Sequence, residues 1–416
     1  MFDEGERFSN PVFGFPDRAM PLASFGSSAF DSAEVGRLVA DLRQQAVRLG
    51  FSRLAVTTAE PPPRQERLAW WVEQGLAGCM EGWLQKHLPL RARPDSLLAG
   101  ARSVVMLATD YTASGEPSRS NPDRGQLARY ALGEDYHGLL RQRLNLLGAW
   151  LEKRVPGCRT RGVVDSAPLS ERELAARAGL GWFGKNTMLI DPRAGSYFFL
   201  SGLLTTLDLP ADQPIEVDHC GSCTACLDAC PTGALPEPRL LDATRCLSAL
   251  TIEERGPVSS ELRSGFGNWV FGCDICQEVC PWNRQAPGTA EPALQASADG
   301  GTLSLVELLA LDAAGFRSRF LGSPLMRAKR RGLLRSAAIA LGNHPAPEQA
   351  AAGSLGILQQ RLADDEPVIR GAVAWALGQW RRRSPQLATE IVTLLRSRLE
   401  AEADRTVRDE LEAALS

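Results

Sequence analysis

Residues 220–231 read Cys-Gly-Ser-Cys-Thr-Ala-Cys-Leu-Asp-Ala-Cys-Pro, a C-x2-C-x2-C-x3-C-P spacing. Two-residue gaps allow three thiolates to bind three corners of one iron–sulfur cubane, while the fourth cysteine of such a run binds a second cluster. A shorter run with the same ending, Cys-Asp-Ile-Cys-Gln-Glu-Val-Cys-Pro, occupies residues 273–281, and Cys246 lies between the two runs. The spacing predicts a bacterial ferredoxin-like module that carries two [4Fe–4S] clusters and moves electrons one at a time.

The two runs also predict which cysteines share a cluster. The first cluster takes Cys220, Cys223, Cys226 and Cys280, and the second takes Cys230, Cys246, Cys273 and Cys276. The alternative is a pair of four-cysteine zinc sites, but zinc ribbons use separated C-x2-C knuckles rather than a triple run that ends in Cys-Pro. Two further cysteines, Cys79 and Cys158, lie outside the module, and we expect them to be buried apolar residues.

The composition bounds the kinds of protein to which this chain can belong. Its 416 residues suit about two to four domains, and 44% hydrophobic with 23% charged residues is a normal globular balance. The net charge of −3 excludes a global attraction for nucleic acid, so any basic surface is local. The longest uncharged apolar run, residues 196–207, is too short to span a membrane, and the acidic N-terminus does not resemble a secretory signal. We therefore expect a cytoplasmic protein without membrane association.

Hydrophobic periodicity divides the chain into four parts. Residues 1–30 show no period and predict an irregular extension, whereas residues 31–210 alternate between helical and strand patterns and predict an α/β domain with a buried sheet. The expected helices of that domain cover residues 34–49 and 139–154, and the expected strands cover residues 54–57, 104–108, 162–164 and 196–205. The cysteine module, residues 211–290, follows. The whole chain is therefore predicted to be an α+β multidomain protein.

The C-terminal part, residues 300–416, follows a Pro-, Gly- and Ala-rich linker over residues 285–300. Leu341-Gly342 and Leu377-Gly378 lie 36 residues apart, and each pair ends an Ala-rich helical stretch. A period of this length predicts HEAT-like helical repeats. A plain helical bundle is the alternative.

Residues 179–186, Gly-Leu-Gly-Trp-Phe-Gly-Lys-Asn, contain a G-x-G-x-x-G motif and a near match to a P-loop. Both nucleotide-binding motifs need a strand before the loop and a helix after it. Here a helix comes before the loop, because Ser170-Glu-Arg-Glu173 has the form of a capping box, and an extended stretch follows. We therefore reject both motifs and expect the glycines to bring the backbone close to a large flat ligand.

Several motifs that occur in one order resemble the epoxyqueuosine reductase family. They are Gly-Glu-Asp-Tyr-His at 133–137, Val-Asp-Ser-Ala-Pro at 164–168, the glycine segment at 178–186, Gly-Asn-Trp-Val-Phe-Gly-Cys-Asp-Ile-Cys at 267–276, the paired cysteine runs and the repeat-like tail. The resemblance covers residues 31–416. It implies an enzyme that reduces epoxyqueuosine to queuosine at the wobble position of tRNA, the last step of queuosine biosynthesis. Electrons would pass from an unidentified low-potential donor through two [4Fe–4S] clusters to cobalamin, in a monomer that binds the tRNA anticodon stem-loop.

The resemblance also assigns site residues. It places the proton donor at Asp165, and it places cobalamin contacts at Arg91, Asp165, Leu189, Leu200 and Ser248. A carboxylic acid donates a proton at neutral pH only when its pKa is raised, so we expect burial to raise the pKa of Asp165. From the residues alone, Asp165 also fits an ordinary turn aspartate, and Leu189 and Leu200 also fit a sheet core. Residues 135–137 either line the same pocket or cap the following helix.

A basic stretch predicts the surface that binds tRNA. Residues 313–347 contain no acidic residue, and the predicted phosphate contacts within them are Arg327, Lys329, Arg330 and Arg331. The alternative is an ordinary solvated helix end.

Two other functions fit part of the sequence. A respiratory reductive dehalogenase would share the clusters and the cobalamin, but such enzymes typically carry a twin-arginine signal and lack HEAT-like repeats, which is the opposite of this chain. A ferredoxin-like electron carrier on a repeat scaffold would bind the clusters without a corrinoid. Corrinoid binding by the reconstituted protein therefore separates the electron carrier from the enzyme.

Overall fold

The structure, a computed structural model, describes residues 31–112, 121–296, 301–350 and 352–416, so the extension predicted over residues 1–30 lies outside the described residues. The helices are α1 (Ser32–Arg48), α2 (Gln65–Glu73), α3 (Glu81–Arg91), α4 (Tyr136–Arg154), α5 (Glu171–Arg177), α6 (Ala225–Asp228), α7 (Leu247–Ile252), α8 (Ser260–Arg263), α9 (Ile275–Glu278), α10 (Leu305–Ala310), α11 (Ala313–Phe320), α12 (Lys329–Gly342), α13 (Ser354–Arg361), α14 (Pro367–Arg383), α15 (Pro385–Ala401) and α16 (Arg405–Leu415). The strands are β1 (Arg53–Thr58), β2 (Ser103–Asp110), β3 (Arg124–Leu127), β4 (Thr160–Val163), β5 (Trp182–Phe183), β6 (Leu189–Ile190), β7 (Phe198–Thr205), β8 (Trp269–Phe271) and β9 (Thr302–Ser304). None of the helices within these ranges is long and apolar enough to cross a membrane.

A four-stranded sheet lies at the centre of the N-terminal part, in the order β1-β2-β7-β4. The four predicted strands are all present, with ends within two residues of those predicted. Every pair is antiparallel, however, whereas the alternating pattern predicted as α/β is typical of parallel sheets. The predicted mixture of helices with a buried sheet is confirmed, whereas the antiparallel order was not predicted, because periodicity indicates helices and strands but not the direction in which the chain returns to the sheet.

Both faces of this sheet are covered, which explains why β2 is buried along its whole length. One face packs against α1 and α4 through residues such as Leu42, Leu144 and Leu203. The other face packs against α5 through Leu174 and Leu204. The sheet is thus a rigid frame on which the end of β4 is held.

A capping box fixes the start of α1, since Asp31 accepts from the Glu34 N–H (2.7 Å) and Glu34 accepts from the Asp31 N–H (3.0 Å).

A second, three-stranded sheet joins the three ordered parts of the chain. Its central strand β3 comes from the N-terminal part, pairs in parallel with β8 of the cysteine module, and pairs antiparallel with β9 of the C-terminal part. One apolar core underlies this sheet and continues through Phe266, Leu305 and Leu333 into the C-terminal helices. The cysteine module and the C-terminal helices therefore share one core.

The C-terminal helices stack with a close contact that repeats at the predicted spacing. A Cβ atom added to Gly342 in α12 would come within 2.9 Å of Ala376 in α14, and one added to Gly378 in α14 would come within 2.8 Å of Ala414 in α16. Each glycine lets its helix approach the next one closely. The 36-residue period in the sequence therefore corresponds to one helix–helix contact made twice.

A buried carboxylate ties the last helices together. Glu402 at the end of α15 is 1% exposed at its side chain, and it binds Arg370 (2.7 Å) and Arg398 (2.7 Å). Burial alone would raise the pKa of Glu402, but the hydrogen bonds from the two arginines outweigh it and lower the pKa to about 2. The lowered pKa means that this stabilisation is present above the ordinary pKa of a glutamate and is lost as the pH falls through about 2.

Replacing Glu402 by Gln should lower the free energy of unfolding by about 3–5 kcal/mol, because Arg370 and Arg398 would keep their charges without the carboxylate. Urea denaturation followed by circular dichroism measures the change. Glu400→Gln, in the same helix but exposed, is the matched control and should stay within about 0.5 kcal/mol of the wild type. Equal stability of the two variants would contradict this role for Glu402.

Candidate active site

Asp165 lies at the apex of a tight turn just beyond β4. Its φ is +46°, and the Ser166 N–H donates to the Val164 carbonyl across it (2.5 Å). Such three-residue turns with a positive φ are rare and strained, although Asp tolerates a left-handed backbone better than most residues. The turn places the Asp165 side chain, which is 62% exposed, in an open cleft. Asp165 is therefore a turn residue, as one alternative predicted, and it also lines the cleft; its role as proton donor stays a prediction.

Two side chains from the start of α4 bind the Asp165 carboxylate. The Tyr136 hydroxyl donates to Asp165 Oδ2 (2.9 Å), and His137 Nε2 lies 3.3 Å from the same oxygen. The other ring nitrogen of His137 lies 2.6 Å from Asp135 Oδ1. Asp135 also caps α4 by accepting from the His137 N–H (3.0 Å). Residues 135–137 thus cap the helix and also reach Asp165.

The imidazole of His137 lies between two carboxylates, and this determines where the proton resides. Hydrogen bonds to Asp135 and then to Asp165 raise the pKa of His137 to about 9. The bond to His137 is also the largest influence on Asp165, and it lowers the pKa of that carboxyl despite desolvation in the cleft. The expectation that burial raises the pKa of Asp165 is therefore wrong. At neutral pH the proton is on His137 and Asp165 is ionised.

Aromatic rings hold this array in place. Tyr136 stacks on Phe199 of β7 with ring centroids 3.9 Å apart, and it also stacks on His137 at 4.2 Å. Tyr130 meets the edges of Tyr136 and Phe199. Sequence inspection missed Phe199 and Tyr130, because nothing in the local pattern shows that β7 and the start of α4 meet.

The cleft in front of Asp165 has a volume of about 580 Å³ and is open to solvent. Its walls combine arginines with the rings of Trp70, Trp71 and Phe183. Arg91 donates from Nη1 to the Leu169 carbonyl (3.0 Å), but its buried Nε has no partner among the described residues. Space, apolar walls and an unpaired buried N–H fit a large ligand that carries polar side groups, such as a corrinoid.

The five predicted cobalamin contacts do not all line this cleft. Arg91 and Asp165 do. Leu189 is 3% exposed and lies in the apolar core of the sheet, and Leu200 is half-buried against the same core. Ser248 is half-buried in α7, two residues after Cys246. All five cobalamin contacts stay predictions.

The glycine segment follows α5, as predicted; it contains β5, and the extended stretch after it includes β6, which pairs with β5. Its first two glycines serve the packing of the chain itself. A Cβ atom at Gly179 would lie 2.2 Å from the Gln213 carbonyl, and one at Gly181 would lie 2.4 Å from the Ile190 carbonyl. The expectation that these glycines approach a flat ligand is therefore wrong for Gly179 and Gly181.

The eight cysteines of the module lie around two short helices, α6 and α9, that contact each other. Burial raises the pKa of Cys226, and the charges of Cys280, Cys220 and Cys223 raise it further. Burial also raises the pKa of Cys273, to about 12, and its charged neighbours include Cys246 and Cys230. These neighbours fall within the two predicted ligand sets, and the assignment of single cysteines to clusters stays a prediction.

In the ranges that the structure describes, no three His, Cys, Asp or Glu side chains are placed to hold one metal ion. Lys185 steadies the first cysteine loop by donating to the carbonyls of Gly221 (2.7 Å) and Cys223 (2.9 Å).

Cys79 is exposed and Cys158 is half-buried, so the prediction that both are buried is wrong.

The basic stretch is only partly on the surface. Arg327 is 61% exposed, binds Glu253 (2.8 Å), and is near enough to lower the pKa of Asp165. Arg331 and Lys329 also reach solvent. Arg330 instead turns inward and binds Asp364 (2.5 Å) at a side-chain exposure of 17%. Arg330 therefore stabilises the helical stack, and we remove it from the predicted phosphate contacts.

Sequence inspection also missed Glu171. The capping box predicted at residues 170–173 does not form, since the Ser170 side chain does not cap α5. Glu171 instead accepts a hydrogen bond from the Asp165 N–H (2.8 Å) and lines the cleft. The sequence signal that could have identified Glu171 is a second acidic residue six positions after Asp165, at the start of a short helix.

Comparison with known proteins adds to this geometry. The family model described as "4Fe-4S double cluster binding domain" matches residues 219–283, and the one described as "Epoxyqueuosine reductase QueG, DUF1730" matches residues 91–166. The chain is 41% identical to an epoxyqueuosine reductase of Xanthomonas campestris over 82% of this chain and 95% of that one. It is 38% identical to that of Escherichia coli, over 88% and 96%. A crystal structure of an epoxyqueuosine reductase with an epoxyqueuosine-modified tRNA stem loop matches with a TM-score of 0.83 and 34% identity, over 92% of this chain and 98% of that one.

Proposed function

The chain belongs to the epoxyqueuosine reductase family and is an oxidoreductase, and from that premise we propose that it reduces epoxyqueuosine to queuosine at the wobble position of tRNA. The observation that carries the proposal is the Asp165 carboxylate, held by Tyr136 and His137 in a cleft lined by arginines and aromatic rings. The relative whose structure includes a modified tRNA stem loop supports the substrate. The monomeric state and the low-potential electron donor stay predictions.

We propose that the cleft holds cobalamin. The groups that would hold it are the Arg91 guanidinium, whose Nε has no partner among the described residues, and Asp165 in the cleft wall. When bound, cobalamin supplies a cobalt centre of low reduction potential for the electrons that the clusters deliver. Ser248, two residues beyond the predicted cluster ligand Cys246, would bring that cluster near the corrin.

The residues of this chain would control the protons. Opening an epoxide and releasing its oxygen as water needs two electrons and two protons. Asp165 is the proposed donor, and since its pKa is lowered it must first receive a proton. His137 is protonated at neutral pH and lies 3.3 Å from the Asp165 carboxylate, so it can supply that proton. Tyr136 fixes the carboxylate while the proton moves.

The Asp165 turn also fits a moving part. The structure of the Bacillus subtilis epoxyqueuosine reductase is described with its catalytic aspartate loop swung out of the active site, and it matches this chain at 33% identity with a TM-score of 0.83. We propose that the turn at residues 164–166 of this chain can likewise leave the cleft. A strained φ at Asp165 lowers the cost of leaving.

We propose that the basic surface binds the anticodon stem-loop. The glycine contact that repeats between the C-terminal helices supports HEAT-like repeats. Such repeats would place Arg331, at the start of α12, beside Arg327 and near the cleft. The target base would leave the loop stack to enter the cleft.

The test of the proposed function uses the chain reconstituted anaerobically with iron, sulfide and cobalamin. With a strong reductant and epoxyqueuosine-tRNA, mass spectrometry of the nucleosides should show queuosine. Protein without cobalamin should give none. Failure to bind cobalamin, or unchanged epoxyqueuosine with both cofactors bound, would refute the proposal.

Arg331→Glu should weaken tRNA binding and lower the slope of log Kd against log salt by about 1, because one phosphate contact is lost. Fluorescence anisotropy of a labelled stem-loop measures both. Arg48→Glu, an exposed arginine at the end of α1, is the control and should change neither. Equal effects of the two variants would mean that general charge, and not this surface, binds the RNA.

A further inference from the structure

The Asp165 turn needs an element that holds it. The backbone at Asp165 has a φ of +46°, and the hydrogen bond across the turn joins only Val164 and Ser166. The side-chain bonds to Tyr136 and His137 depend on where the turn points the carboxylate. The hydrogen-bond donor at the apex is the Asp165 N–H, and the Glu171 carboxyl accepts it at 2.8 Å.

Glu171 is suited to hold this amide because it lies on a fixed element. It is the first residue of α5, whose Leu174 and Ala175 are fully buried against the sheet. Within the described ranges, the Asp165 N–H is the one protein donor bound to that carboxyl. A rigid helix thus carries one acceptor, and that acceptor is used by the strained turn.

We propose that Glu171 is a positioning residue of the active site, which holds the Asp165 amide and so keeps the Asp165 carboxylate directed at His137 and the cleft. The role rests on the proposed function, since it acts through Asp165 as proton donor. Glu171 need not exchange a proton with the substrate. It therefore differs from Asp165 in what a conservative substitution should do.

Glutamine is a close substitute for Glu171 at neutral pH. Desolvation and the Asp165 charge raise the pKa of Glu171 to about 8, and they outweigh the hydrogen bond from the Asp165 N–H and the charges of Arg91 and Arg172, which lower it. The group is therefore mostly protonated at pH 7, and the amide oxygen of Gln can accept from the Asp165 N–H as the acid carbonyl does. Alanine removes the acceptor altogether.

The experiment compares Glu171→Ala, Glu171→Gln and the control Glu66→Ala in fully reconstituted protein. Glu66 is an exposed acid in the first turn of α2, so Glu66→Ala removes a glutamate from an equivalent helix position without touching the Asp165 turn. Hydrogen exchange at the Asp165 amide, kcat, and the KM for tRNA are measured. Iron and corrinoid contents report intact folding.

Glu171→Ala should speed exchange of the Asp165 amide about tenfold and lower kcat about 10²-fold, with KM and cofactor contents unchanged. Glu171→Gln and Glu66→Ala should stay within about threefold of the wild type in both. If Glu171→Ala keeps the wild-type kcat and the wild-type exchange rate of the Asp165 amide, the proposal is overturned. It is also overturned if Glu171→Gln has the low kcat of the alanine variant while its Asp165 amide stays protected, since Glu171 would then supply a proton itself. If Asp165→Asn proves fully active, the proposed proton donor fails, while the exchange measurement still decides the Glu171 contact.

Discussion

Replacing Asp165 by Asn should lower kcat for epoxyqueuosine reduction by about 10²–10⁴-fold, the usual loss when a positioned acid is removed. Asn tolerates the left-handed backbone at this position and can still accept from the Tyr136 hydroxyl. The turn and its contacts should therefore survive, and only the transfer of a proton from His137 should be lost. Turnover of epoxyqueuosine-tRNA, followed by nucleoside mass spectrometry, measures the effect.

The controls for Asp165→Asn are cofactor contents and the pH dependence of the wild type. Iron and cobalamin should be retained, which would separate a chemical defect from a folding defect. Because the pKa of His137 is raised to about 9, the wild-type rate should hold below that pH and fall as the pH rises through it. Full activity in the Asn variant would remove Asp165 from the mechanism.

Replacing Cys280 by Ala should abolish turnover and remove the first cluster, even though Cys280 belongs to the second cysteine run. Iron should fall from about eight to about four atoms per chain, because two cubanes share the eight thiols. With one cluster missing, electrons would have no path to the cleft. Cys230→Ala should have the converse effect and remove the second cluster.

Electron paramagnetic resonance of the reduced variants decides this crossed ligation. The spectrum of Cys280→Ala should match that of Cys220→Ala, and the spectrum of Cys230→Ala should match that of Cys273→Ala. Cys158→Ala, outside the module, should keep both clusters. If the Cys280 variant matches Cys273→Ala instead, each run ligates its own cluster and the predicted sets are wrong.

The sequence predicted those features that depend on residues close to one another along the chain. Cysteine spacing indicated the cluster module, and apolar alternation located β1, β2, β4 and β7. Contacts between distant segments escaped it. Arg330 looks like a surface arginine in sequence, and only the fold places Asp364 next to it. The pKa of Asp165 was misjudged for the same reason, since His137 lies 28 residues away and binds it only after α4 and β4 are assembled.

The pairing of β3 with two other parts of the chain limits how this enzyme can change during evolution. A ferredoxin is often a detachable carrier, but here β8 of the cysteine module pairs with β3, and β9 of the C-terminal part pairs with the other edge of the same strand. Excising the cysteine module would therefore remove β8 and expose one edge of β3. Changes in the C-terminal part must also remain compatible with the sheet that it shares with the cysteine module, so the parts of this protein are expected to evolve together.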